Sequence, residues 1–150
     1  MLAMYHDYRI QNPIKGFLCL NEVLFGAVLA SPMTSIFREK LPSYATFRSL
    51  ILEGKRFPAK EALKEGIVDA LGGLDEVMEF ARQRELVKMG NSGVYSALKE
   101  EMYMQSLGML ESYEENLKWR RKVEGQKEKE KKDGRGKVLA WENSNGKAKL

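Results

Sequence analysis

One acid in an apolar setting is the residue best placed for chemistry. Glu22 lies inside Gly16-Phe17-Leu18-Cys19-Leu20-Asn21-Glu22-Val23-Leu24-Phe25-Gly26, a run that carries a glycine at each end. Short apolar runs of this kind read as buried strands or buried turns. Glu is almost never fully buried unless it is paired. A carboxyl against apolar walls has its charged form disfavoured, which suits it to carry a proton near neutral pH. The same residues also fit a solvent-exposed acid at a loop tip, since most loop acids do nothing chemical. Metal chemistry has little to draw on. With a single histidine, His6, and a single cysteine, Cys19, the chain lacks the ligands for a zinc site. Cys19 alone excludes an internal disulfide and reads as a small buried hydrophobe in a reducing compartment.

The elements that must hold Glu22 follow from capping and periodicity. Residues 1–11 read as the end of a buried helix and a short strand, with Tyr8-Arg9-Ile10 alternating. Asn12-Pro13 is a turn signal, and Gly16–Leu20 is a second strand. Ser31-Pro32 predicts a helix start, with Ser as cap and Pro at the first helical position, running to about Lys40. Leu41-Pro42-Ser43 breaks it and opens another helix that ends at Gly54, where a left-handed cap is expected. Phe47, Leu50 and Ile51 give its buried face. A short helix over Ala59–Glu65 closes at Gly66, and Ile67-Val68 leads out extended. After the Gly72-Gly73 turn, Leu74, Val77, Met78 and Ala81 mark one face of a helix ending near Lys88. Val94, Leu98, Met102, Met109, Tyr113 and Leu117 predict one long helix, wide enough in apolar surface to face both the domain and a partner subunit. Asp7 and Arg9 are expected to form a structural ion pair.

The 150 residues are 43% hydrophobic and 31% charged, which suits one soluble domain. No apolar run approaches the ~20 residues of a membrane helix, and the first residues lack the basic flank of a signal peptide. Charge is uneven: residues 1–117 carry a net of −3 and residues 118–150 a net of +7. The basic end could attract nucleic acid, a membrane surface or phosphate groups. Its interspersed acids and lack of interleaved aromatics favour a solvated tether, with no nucleic-acid role. Residues 124–149 have few apolar side chains and are expected to be disordered.

Asp7-Tyr8-Arg9-Ile10, the Gly16–Gly26 run, Arg38-Glu39-Lys40-Leu41, Phe47–Lys55 and Ala59–Asp69 stand in an order and spacing that resembles the crotonase (enoyl-CoA hydratase/isomerase) superfamily. Within it the pattern is that of the Δ3,Δ2-enoyl-CoA isomerases, whose catalytic glutamate sits in an Asn-Glu-x-x-x-Gly setting. The resemblance covers roughly residues 1–90 and implies an α/β fold: a partial, helix-rich crotonase-like spiral with few remaining strands, near Asp7–Gln11, Gly16–Leu20 and Ile67–Asp69. It divides the chain into residues 1–90 as the C-terminal part of that core, 91–123 as a long helix and 124–150 as a basic flexible tail.

The resemblance also implies a role for each candidate residue. Glu22 becomes the proton carrier that shifts a double bond along an acyl thioester. Phe17, Leu24, Phe25 and Leu29 fit an acyl pocket or an ordinary core equally well. Lys55 and Arg56 could meet a coenzyme A phosphate or simply stay solvated. A hydratase would need a second glutamate near Met1, where there is none, so isomerase is favoured over hydratase. The two backbone donors that stabilise the enolate in the family lie ahead of the matching segment, so weak catalysis, or a non-catalytic fragment that associates with crotonase-family subunits, is expected. No cofactor is implied beyond the coenzyme A of a fatty acyl-CoA substrate, and trimer-type self-association is. Ala148-Lys149-Leu150 resembles the Ser-Lys-Leu peroxisomal address, implying an import receptor as partner and a peroxisomal location.

Overall fold

The computed structural model describes residues 1–145. It divides into two compact units, Met1–Glu111 and Ser112–Leu150. The first opens with a 3₁₀ turn, Leu2–Tyr5, which buries Met4. It continues with β1 (Ile10–Gln11), β2 (Phe17–Leu18), α1 (Glu22–Phe25), α2 (Ser31–Lys40), α3 (Tyr44–Leu52), β3 (Phe57–Pro58), α4 (Ala59–Lys64), β4 (Ala70–Leu71), α5 (Leu74–Gln83), α6 (Leu86–Gly90), α7 (Tyr95–Met102) and α8 (Met104–Glu111). The second unit holds α9 (Tyr113–Asn145).

Two small sheets brace the first unit. β1 runs parallel to β4 with Ile10 opposite Ala70, and β2 runs antiparallel to β3 with Phe17 opposite Pro58. Between them lies a core of Met4, Leu20, Ile36, Phe37, Leu41, Leu50, Phe57, Ala62, Ile67 and Val68. Arg9 crosses this core almost fully buried. Its Nε donates to the Ile67 carbonyl at 2.7 Å, and its own backbone N–H donates to Asp69 Oδ2 at 2.8 Å. The burial of a guanidinium is tolerable because these acceptors and the Asp69 carboxylate, 3.5 Å from Nη2, compensate it.

Several capping signals stand where the sequence places them. Ser43 caps α3 by accepting from the Thr46 N–H, and Gly54 follows that helix with φ +59°. Gly66 has φ +67°, and a Cβ there would lie 2.7 Å from Pro42 Cγ, so the close of α4 admits only glycine without rearrangement. The start of α2 differs from expectation: Ala30 is the cap, and Ser31 and Pro32 are already helical. Asp7 and Arg9 do not pair with each other. Asp7 takes Lys99 at 2.9 Å while Arg9 turns into the core and takes Asp69, so each is engaged by a partner distant in sequence. The strand expected at Ile67–Asp69 begins three residues later, at Ala70–Leu71, and Ile67 and Val68 are buried in the core.

The predicted long helix from Val94 is three helices. α7 stops at Tyr103 and α8 at Ser112, and α8 packs along α2. Ser106 explains the packing. It is buried, its hydroxyl lies 2.8 Å from Ser35 Oγ and 2.6 Å from Glu39 Oε2, and its N–H donates to Glu39 Oε1 at 3.1 Å. A straight helix from Val94 would not follow α2 in this way. Residues 124–145, expected to be disordered, continue α9. Low hydrophobicity forbids a packed core, yet it does not forbid a helix built of Lys, Glu, Arg and Gln with acid-first pairs such as Glu128–Lys132 and Asp133–Lys137 at i,i+4.

Candidate active site

Glu22 stands at the first position of α1, a single turn of helix between Asn21 and Gly26. Gly26 adopts φ +75° and its N–H returns to the Glu22 carbonyl, as does that of Ala27 at 3.0 Å. The turn is therefore closed on Glu22 itself. α1 is held in place against the end of α3: a Cβ on Gly54 would sit 3.4 Å from both Leu24 Cγ and Val23 Cγ1. This close approach, together with the positive φ, is why a glycine is required there.

The Glu22 side chain is half-buried. Its Oε2 is shut off from solvent, and among the described residues no donor reaches it. Buried polar atoms are nearly always satisfied, so an orphaned carboxylate oxygen calls for an explanation, as does the equally orphaned Oε1 of Gln11. Nothing comparable surrounds the acid: among the described residues no cluster of three or more His, Cys, Asp or Glu is placed to hold a metal ion.

The other sequence-derived candidates are dispersed. Leu29 packs against the core. Leu24 and Phe25 stand out from α1, 70% and 64% exposed, beside exposed Val23 and Val28. Phe17 is 49% exposed and lies under the Arg56 guanidinium, 4.8 Å from its ring centroid. Lys55 pairs with Glu61 at 2.6 Å and sits 4.8 Å over the Phe57 ring; the hydrogen bond to Glu61 raises its pKa. The exposed Leu24 and Phe25 thus give α1 an apolar outer face. A cavity of about 430 Å³ lies elsewhere, lined by Met4, Ile10, Gln11, Leu18, Cys19 and Leu20 among others, and by none of the five candidates. Sequence reading did not single out Gln11, which follows the alternating Tyr8-Arg9-Ile10, and took Cys19 only as a small hydrophobe of an apolar run.

Behind β1 a charged cluster ties α7 to the core. Lys99 donates to Asp7 Oδ2, and that bond raises the lysine's pKa; Tyr95 also reaches Asp7, at 3.4 Å. Lys40 lies over the Tyr103 ring at 4.6 Å, where desolvation lowers its pKa. Every one of these groups has a protein partner, so the cluster reads as a brace.

No family model matches the chain. In sequence it is similar to the peroxisomal enoyl-CoA delta isomerase 1 of Arabidopsis thaliana, 32% identical over 120 residues that make up 75% of this chain and 50% of the relative. The peroxisomal enoyl-CoA delta isomerase 2 of the same plant is 30% identical over 115 residues, 73% of this chain and 48% of that one. Among solved structures, human mitochondrial delta3-delta2-enoyl-CoA isomerase aligns with a TM-score of 0.61 at 25% identity, covering 92% of this chain and 56% of the other. A probable enoyl-CoA hydratase of Mycobacterium tuberculosis aligns with a TM-score of 0.66 at 17% identity, covering 83% and 52%. The chain spans about half the length of the curated relatives it matches.

Proposed function

From a chain that has part of the crotonase (enoyl-CoA hydratase/isomerase) fold and is similar in sequence to enoyl-CoA delta isomerases, we propose an isomerase-like role with Glu22 as its proton carrier. The substrate class is a fatty 3-enoyl-CoA. The Glu22 carboxylate removes a proton from C2. The electron pair moves into the thioester, giving a dienolate with negative charge on the carbonyl oxygen. The resulting carboxylic acid returns the proton to C4, leaving the double bond at C2. No atom is gained or lost, so one carboxyl that reaches both carbons suffices, provided donors stabilise the enolate oxygen. The observation that carries this reading is the solvent-shielded, donorless Oε2 of Glu22 at the first position of α1. Those enolate donors are expected from the half of the fold outside the matched length. Since losing one such donor typically costs ~10²–10³ in rate, the 150-residue chain alone should turn over slowly. An assay with 3-hexenoyl-CoA tests the role. Formation of the 2-enoyl product, by the chain alone or with the other half of the fold added, and its loss in Glu22→Gln, is expected. No turnover in either preparation removes the catalytic reading.

A second reading is favoured by one observation: Val94, Leu98, Met102, Leu107 and Leu110 remain exposed along α7 and α8. A non-catalytic chain could use that stripe to join crotonase-family subunits or copies of itself in a trimer-type assembly. Size-exclusion chromatography with light scattering discriminates, a strictly monomeric species counting against it. Peroxisomal residence, in fatty-acid β-oxidation, is the location proposed. Two of the relatives are named peroxisomal, and Ala148-Lys149-Leu150, which lies outside the described residues, resembles an import address. Removing those three residues from a fluorescently tagged chain should abolish peroxisomal puncta.

A further inference from the structure

We propose that α9 is a surface-lying helix for an anionic lipid bilayer, with its tryptophan face set into the headgroup boundary and its lysine face at the level of the lipid phosphates. The inference is independent of Glu22 and of the isomerase reading. Three observations carry it. First, none of the described residues of α9 is buried, and Trp119, Val138 and Trp141 are 66%, 56% and 64% exposed. Tryptophan is on average a highly buried side chain, so two left in water call for a covering surface. Second, the charge is divided by face. Between Lys118 and Lys137 stand ten Lys or Arg and four Asp or Glu, a net of +6. At 3.6 residues per turn, Lys118, Arg121, Lys122, Lys129 and Lys132 share one sector of about 100°. No acid from residue 118 onward falls inside it, Glu128 and Asp133 standing just beyond its two borders, and all five cations are exposed. Third, Trp119, Val123, Val138 and Trp141 fall within a sector of similar width on nearly the opposite side. That face also carries Arg120, Lys127 and Lys137, whose stems can lie along apolar surface while their heads reach water, and one acid, Glu130.

A bilayer fits both faces at once. Tryptophan settles at the boundary between acyl chains and water, and cations are drawn to anionic headgroups. A helix about 10 Å across, sunk about 5–10 Å, keeps its far side at phosphate depth. Among the described residues no helix is long and apolar enough to cross a membrane, and the two-faced pattern of α9 suits the surface. Single-stranded nucleic acid is served less well, because its binders set aromatics among the cations and here the two lie on opposite sides.

The test mixes the purified 150-residue chain with vesicles of phosphatidylcholine alone, or of phosphatidylcholine and phosphatidylserine in equal parts. Trp119 and Trp141 are the chain's two tryptophans, so intrinsic fluorescence reports on α9 directly. A blue shift and co-sedimentation with the anionic vesicles only, both reversed by added salt, are expected. Lys118→Gln with Lys122→Gln, Lys129→Gln and Lys132→Gln keeps helix-forming residues and should weaken co-sedimentation by about tenfold or more. Trp119→Gln with Trp141→Gln, at exposed positions, should weaken it too, while Glu22→Gln should bind as the parent does. Unshifted fluorescence with anionic vesicles, equal binding to neutral ones, or binding to an oligonucleotide without binding to vesicles overturns the proposal.

Discussion

At the scale of single residues, the oxygen that no donor reaches gives Glu22 two measurable consequences. Charge without a partner in a shielded place costs stability, so the neutral isostere should be tolerated by the fold. Glu22→Gln is expected to leave the melting temperature unchanged or slightly higher while lowering isomerase turnover by about 10²–10⁴-fold. A stability loss alongside the activity loss would make Glu22 structural. Glu76 behaves differently. Its Oε2 accepts the Gly73 N–H at 2.7 Å at the start of α5, which holds its carboxyl below the usual glutamate range. A lowered folded-state value means that the cap contributes fully above the ordinary glutamate range and is lost as pH falls through the lowered one. Thermal melts of the parent and Glu76→Gln from about pH 6 to about pH 3 should therefore converge toward the acid end. The geometry adds a constraint: a Cβ on Gly72 would lie 2.3 Å from Glu76 Cβ, so Gly72→Ala should displace the cap and show the same loss at neutral pH.

At the scale of elements, α8 is fixed by a polar contact between residues 67 apart in sequence, Ser106 and Glu39. Removing the hydroxyl strips Glu39 and Ser35 of a buried partner. Ser106→Ala is expected to cost ~1–3 kcal/mol in chemical denaturation, and Ser106→Val more, because it adds volume where the site is closed. This contact also shows where sequence reading stops. Ser43, Gly54 and Gly66 announce their caps because a cap is a local matter of one side chain or one positive φ, and α3 and α4 are legible from them. The stripe from Val94 to Leu117 is legible as helix. Its breaks at Tyr103 and Ser112 are not, and the α8 segment between them docks through Ser106 on Glu39 of a distant helix, a partner that no local pattern announces. The site divides in the same way. The Asn21-Glu22-x-x-x-Gly26 pattern marks the acid and its closing glycine, both local to one turn. The contact of Val23 and Leu24 with Gly54, which fixes that turn in space, lies some thirty residues away and leaves no periodic trace.

At the scale of the whole molecule, composition and backbone give different accounts of the basic end. Hydropathy asks whether a segment can bury a core, and residues 124–145 cannot. Helix formation asks only for suitable residues and paired charges along one segment, and the 33 residues of α9 supply both. They also carry three glycines, Gly125, Gly134 and Gly136, around each of which an added Cβ would meet open space. An exposed glycine inside a helix costs about 1 kcal/mol relative to alanine. Gly134→Ala with Gly136→Ala should therefore raise the helical signal in circular dichroism and shift its thermal fraying upward, with no change in the folding of residues 1–111. Added salt should act the other way by screening Glu128–Lys132 and Asp133–Lys137. A chain whose ellipticity ignores both the double substitution and the salt would have no helix there to reinforce, and residues 124–145 would return to the tether that their composition describes.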